Sequence, residues 1–125
     1  MTNNAQDREA IVATIQKYMD GVAQSNTDFI AEAFHPQATM SGHFGEEFLI
    51  VPAAEDIIEY MKSVPPTSET SPNYSNRIVS IEQTGTMAQA TIMELQLEGM
   101  DFTTHFQLHL VEGNWLITAK ATYAQ

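Results

Sequence analysis

Only histidine titrates near neutral pH without help from its surroundings, and this sequence has four: His35, His43, His105 and His109. His35 precedes Pro36 at the end of a helical pattern and reads as a capping or surface residue. His43 sits in an alternating stretch whose parity turns it away from the interior, although Gly42 and Gly45 beside it could support a bulge that turns it inward. His105 and His109 share one strand face four residues apart, about 13 Å from each other, too far to bind one metal ion. The sequence has no Cys, no HExxH and no His-x-His pair. Neither thiolate chemistry nor a metal centre is expected, and no cofactor is implied.

Paired carboxylates offer little more. Glu46 and Glu47 point to opposite sides of a turn, and Glu55, Asp56 and Glu59 fall on the wet side of a helix. Glu94 and Glu98 share a strand row with Gln96 and are expected to face solvent rather than to form an acid/base pair. There is no Ser-centred elbow, no Gly-rich phosphate loop and no basic groove. Lys120 is the one cation inside the last strand. Its row also holds Leu116, Thr118 and Thr122, and the pattern leaves open whether that row faces a pocket or solvent.

The elements that must position these groups belong to a single domain, residues 1–125, with 43% apolar residues and no room for a second core. Five Lys and Arg stand against sixteen Asp and Glu, a net charge of −11. Such a field repels phosphate backbones and anionic membrane surfaces, so neither nucleic acid nor membrane is expected as a partner. No apolar run reaches the roughly 18 residues of a membrane span. The opening MTNNAQDREA lacks the apolar core of a signal peptide, and a cytoplasmic location is the default expectation.

Ile11, Ile15, Tyr18 and Val22 recur at helical spacing, with Met19 beside them, and place a first helix over residues 4–24. Gly21 inside it marks close packing. Ser25-Asn26-Thr27 breaks that helix and caps a short second one over 28–34, with Phe29, Ile30, Ala33 and Phe34 as its buried set. From Ala38 the period changes to two, which gives one strand to Phe44 and a short one over 48–51. Pro52 suits the first position of a third helix reaching Val64, with Ile57, Ile58 and Met61 facing inward and Tyr60 at the margin. The stretch PPTSETSPN, residues 65–73, reads as a flexible loop. Four long strands follow, over 74–83, 86–98, 100–111 and 115–123, joined by turns too short for anything but antiparallel pairing. In the third of them Phe102, Thr104, Phe106, Leu108 and Leu110 form the apolar row. The fold class is α+β: a bent, mainly antiparallel sheet of about six strands wrapped around three helices from the N-terminal half.

The stretch IQKYMDGVAQSNTDFIAEAFHPQATMSG resembles the opening of nuclear transport factor 2-like proteins, a superfamily that includes ketosteroid isomerase and the SnoaL-type polyketide cyclases. EGNWLITAKATYA is similar to its closing hairpin, and Phe34-His35-Pro36 with Trp115-x-Ile117-x-x-Lys120 is most similar to the subfamily labelled putative lumazine-binding. The resemblance implies a cone-shaped sheet with a pocket between sheet and helices. It also permits a residue-by-residue test of ketosteroid-isomerase chemistry, which uses a carboxylate base and an oxyanion site built from a Tyr and a protonated acid. Tyr18 falls on the Tyr, Gly42 on the base and Thr104 on the second donor. Two of the three groups are absent.

The expectation is therefore a pocket protein for a small apolar or planar molecule with one polar edge, its cavity bordered by Tyr18, Met40, Met61, Thr104 and Phe106. Tyr18 itself reads as a buried tyrosine with a locally satisfied hydroxyl, or else as a catalytic donor. One alternative is an isomerase, cyclase or dehydratase with Tyr18 as donor and His43 as base. Another is a protein-association module whose pocket is filled by side chains. A homodimer through the outer face of the sheet is also expected, because Met93, Leu95 and Leu97 form a second apolar row opposite Ala88, Ala90 and Ile92. His105 and His109 would lie near that contact.

Overall fold

Ile11, Ile15, Tyr18, Met19 and Val22 are all buried along one stripe of α1 (Asn4–Gln24), the face the helical spacing selects. The computed structural model describes residues 4–125; Met1, Thr2 and Asn3, the start of the polar N-terminal stretch, lie outside the described residues. Gly21 is where α1 meets the next helix. A Cβ there would come within 2.8 Å of Ile30 Cδ1 and 3.2 Å of the Asn26 carbonyl oxygen, so a side chain at this position would push the Ile30 tip aside and crowd the Asn26 carbonyl. The side chain of Asn26 accepts from the backbone N–H groups of Asp28 and Phe29 and caps α2 (Thr27–Ala33).

Six strands follow or interleave: β1 (Phe34–Phe44), β2 (Glu47–Pro52), β3 (Ser75–Thr84), β4 (Met87–Leu97), β5 (Met100–Val111) and β6 (Asn114–Ala124). They form one open sheet in the order β2-β1-β6-β5-β4-β3. Only the β1/β6 pair is parallel. α3 (Ala53–Ser63) and the helices before it cover one face, where Ile92, Phe106, Leu108, Trp115 and Ile117 complete the core. Thr14 Oγ1 donates to the Trp115 carbonyl at 2.7 Å and fixes α1 on β6. The α+β cone and its six strands follow the sequence expectation.

Three local expectations are corrected. Phe34 opens β1 instead of closing α2, and an irregularity between Phe34 and Thr39 accommodates Pro36, which has no N–H to give to a ladder. Phe29 is only half-buried, whereas Ile30, Ala33 and Phe34 are buried. The segment 65–73 is not merely a loop: Thr67–Thr70 forms the short helix α4. Ser25 and Thr67 dock it. Thr67 N donates to Ser25 Oγ at 2.9 Å and Thr67 Oγ1 donates to the Val22 carbonyl at 2.7 Å, so a carbonyl at the open end of α1 gains a partner.

Two irregularities decide which side chains face the helices. In β6, Gln107 pairs with Ala119 but Leu108 pairs with Ile117, which leaves Thr118 as an extra residue. Trp115 and Ile117 point inward before the bulge; Lys120, Thr122 and Ala124 point inward after it. In β4, Ala88, Ala90, Ile92 and Glu94 keep one inward parity. The register then shifts between Glu94 and Leu97, with Gln96 at φ 56° and Glu98 at φ 51°.

Candidate functional site

Between α1, α3, α4 and the concave face of the sheet lies a cavity of about 360 Å³, within the range of small-molecule sites. Its walls are mostly apolar: Val22 from α1, Met40 and Phe44 from β1, Ile57 and Met61 from α3, and Phe102 from β5. Ile57, Met61 and Val64 recur at helical spacing, which is why one face of α3 can serve as a wall. At its rim, the half-exposed Tyr60 donates a 2.5 Å hydrogen bond to Glu98 Oε2 and ties α3 to the β4–β5 turn. That bond pushes the Tyr60 phenol up to about 12, with burial and the Glu98 charge adding to it.

The polar groups of the cavity are not those the sequence pointed to. Glu94, 1% exposed, and Lys120, 5% exposed, both line it. The expectation that Glu94 faces solvent is overturned: it continues the inward row of Ala88, Ala90 and Ile92, and the β4 irregularity begins only beyond it. The open question of the Lys120 row is decided by the Thr118 bulge. Tyr74 Oη donates to Glu94 Oε2 at 2.5 Å, and Asn76 Nδ2 donates to the Tyr74 oxygen at 3.1 Å. Lys120 has a poorer environment. Among the described residues its hydrogen-bond partner is the Met40 thioether sulfur, 3.5 Å away, and the ammonium stands 5.5 Å from the centre of the Tyr18 ring.

Burial disfavours charge on both groups. Desolvation lowers the Lys120 ammonium to about 8, with the Glu94 charge opposing the shift. Desolvation raises Glu94, opposed by Lys120 and by the Tyr74 bond. The Tyr18 phenol is raised well above its ordinary value, by desolvation first and by Glu94 second, so it remains a proton donor.

Of the five residues expected to border the cavity, Tyr18, Met40 and Met61 do so. Thr104 and Phe106 do not, although both lie on the inward row. Thr104 Oγ1 is 2.9 Å from Thr122 Oγ1 in the neighbouring strand, a short side chain whose hydroxyl is used within the sheet. Phe106 packs edge-on against the Tyr18 ring at 5.2 Å and supports the wall from behind. The Tyr18 hydroxyl, expected to be satisfied, has no hydrogen-bond partner among the described residues, and its ring packs edge-on against Phe34 and Phe106. His43 is exposed and stacks on Phe48 at 4.8 Å, so no bulge turns it inward and it cannot serve the cavity as a base. Gly42 leaves no space for a base either: a Cβ there would meet the Thr122 carbonyl oxygen at 2.8 Å and the Phe44 ring at 3.1 Å.

A shallower depression of about 440 Å³ lies on the opposite face of the sheet, lined by polar side chains such as Ser41, Ser80, Gln89, His105 and Gln107. Gln89 there already donates to Glu82 at 2.8 Å. It is the trough of a bent sheet, and the buried ionisable residue it touches, Lys120, has its ammonium at Met40 and the Tyr18 ring.

Three solved structures of similar shape belong to proteins of unknown function. A nuclear transport factor 2-like protein from Shewanella baltica is 28% identical, with a TM-score of 0.88 over 100% of this chain and 98% of that one. One from Methylobacillus flagellatus is 24% identical, with a TM-score of 0.85 over 96% and 93% of the two chains. Another from Silicibacter pomeroyi is 18% identical, with a TM-score of 0.85 over 99% and 100%. No curated protein matches the sequence. No described helix is long and apolar enough to cross a membrane. The family signature described as "Putative lumazine-binding" spans residues 6–123, and with the fold it places the chain in that family, within the nuclear transport factor 2-like superfamily.

Proposed function

We propose that this protein binds a small molecule with a flat or compact apolar body and a single polar edge, and that it does not perform ketosteroid-isomerase chemistry. The observation that carries this reading is the mostly apolar 360 Å³ cavity lined by two donors with spare capacity, the Tyr18 hydroxyl and the Lys120 amine, whose one partner is a thioether sulfur. A carbonyl oxygen or ring nitrogen on the ligand's edge would satisfy them. The open cavity favours binding over a purely associative role with a filled pocket. The absence of a base at position 42 and the outward position of His43 speak against the ketosteroid-isomerase arrangement and against His43 as base.

The test uses 2-naphthamide and lumazine as probes, followed by thermal shift and calorimetry. Saturable binding of at least one is expected, lost by about tenfold or more in Met61→Trp, which fills the cavity, and retained in Thr104→Val. No binding by either probe, or equal binding in Met61→Trp, would refute the pocket. Steroid-isomerase turnover that Tyr18→Phe abolishes would refute the non-catalytic part.

A further inference from the structure

Lys120 is a buried ammonium with few partners. A primary ammonium has three donors, and here it finds one thioether sulfur at 3.5 Å and the face of an aromatic ring. Among the described residues, Lys17 and Glu32 form an ion pair at 3.4 Å on the surface; Lys120 and Glu94 form none. A lysine kept only for stability would be expected to reach a carboxylate or a row of carbonyls. This one ends at the wall of a cavity that opens beside α3.

From this geometry we infer that Lys120 is a nucleophilic amine that condenses reversibly with the carbonyl group of an aldehyde or ketone ligand seated in the cavity. The inference rests on the pocket reading above and narrows its ligand class. The mostly apolar walls favour a neutral ligand, and an amine at the wall pairs chemically with an electrophilic carbonyl on it. In the reaction the Nζ lone pair attacks the carbonyl carbon, a C–N bond forms and the carbonyl oxygen takes up a proton. The carbinolamine then loses water as the nitrogen gives up a proton, and a C=N bond remains. No oxidant or reductant is needed. The Tyr18 hydroxyl is the donor available to the carbonyl oxygen, and Glu94 can pass the proton between nitrogen and departing water. Desolvation of the amine keeps a useful fraction of it neutral close to neutral pH.

The charged and titratable groups that set this behaviour come from every surrounding element. Glu94 comes from β4 and Tyr18 from α1, and Tyr74 stands behind Glu94. Across the cavity lie Asp56 and Tyr60 of α3 and Glu98 of the β4–β5 turn.

The experiment is incubation with 2-naphthaldehyde and sodium cyanoborohydride, which reduces any imine to a stable amine, followed by peptide mapping of the lysines. Labelling at Lys120 is expected to be saturable, competed by 2-naphthamide, and about tenfold or more faster than at Lys17 and Lys62 near pH 7.5. Its rate should level off above the lowered value of about 8, while exposed lysines continue to gain reactivity toward about pH 10.4. Lys120→Arg should remove the fast label. Should that variant fail to fold, the mapping and pH profile of the wild-type chain decide alone. Equal labelling of all lysines, or no label at Lys120 in a protein that binds 2-naphthamide, would overturn the inference while leaving the pocket intact. Failure of both 2-naphthamide and lumazine to bind would instead remove the pocket reading on which it rests.

Discussion

Tyr74 Oη and Glu94 Oε2 are joined by a 2.5 Å hydrogen bond that reaches from the start of β3 to a carboxylate buried at the cavity wall. Asn76 donates to the same phenol oxygen, so one side of Glu94 is fixed by a short polar chain. Tyr74→Phe should destabilise the domain by about 1–3 kcal/mol, the range for a lost bond to a charged group. The Tyr74 bond lowers Glu94 against the upward pull of desolvation, so its loss raises Glu94 further. A raised carboxylate binds more protons in the folded than in the unfolded state above its ordinary value of about 4.5. Stability therefore falls there as pH rises. The gap between wild type and Tyr74→Phe should widen from acid to neutral pH, measured by urea unfolding; a pH-independent gap would count against an ionisable Glu94.

Lys120 has the opposite sign. Its folded-state value of about 8 lies below the ordinary 10.5, so the unfolded chain binds more protons between those two pH values. The cost of burying the ammonium is fully present below pH 8 and is relieved as pH rises toward 10.5. Lys120→Met should abolish that component. The stability of wild type relative to Lys120→Met is expected to rise between about pH 8 and pH 10, by about 1–3 kcal/mol. Parallel pH curves for the two proteins would show that the amine is not desolvated.

Gly42 is a packing glycine. Its Cβ site is blocked by the Thr122 carbonyl oxygen at 2.8 Å and by Phe44, so the parallel β1/β6 pair cannot accept a side chain there without moving. Gly42→Ala should cost about 1–3 kcal/mol in thermal unfolding. Restoring a carboxylate with Gly42→Asp should produce no isomerase activity, because the new group has no room to face the cavity.

For assembly we propose a homodimer through the outer face of the sheet. Met87 and Tyr123 are each at least half-exposed, and His105 and His109 are exposed alongside the outer trough. Light scattering at micromolar concentration should report a dimer at neutral pH. A monomer at neutral pH would refute the dimer.

What the sequence determined by itself was everything that depends on period and on local stops. The α1 stripe, the glycine contact at Gly21, the inward row of Phe102, Thr104, Phe106 and Leu108, and the cone they imply are all set by spacing of 3.6 or 2 and by residues that break it. Tyr18, Met40 and Met61 were legible as cavity residues for the same reason. The polar site was not. Glu94 had a visible signal in its row with Ala88, Ala90 and Ile92, but Met93 and Leu95 gave the other row an equal claim to the core. Only the packing of the helices chose between them. Lys120 was decided by one extra residue, Thr118, whose bulge reverses the facing of everything after it. A bulge of this kind is specified by register between strands far apart in sequence. For that reason the Lys120, Glu94 and Tyr18 groups meet only in the tertiary structure, while the elements that carry them could be read from the chain.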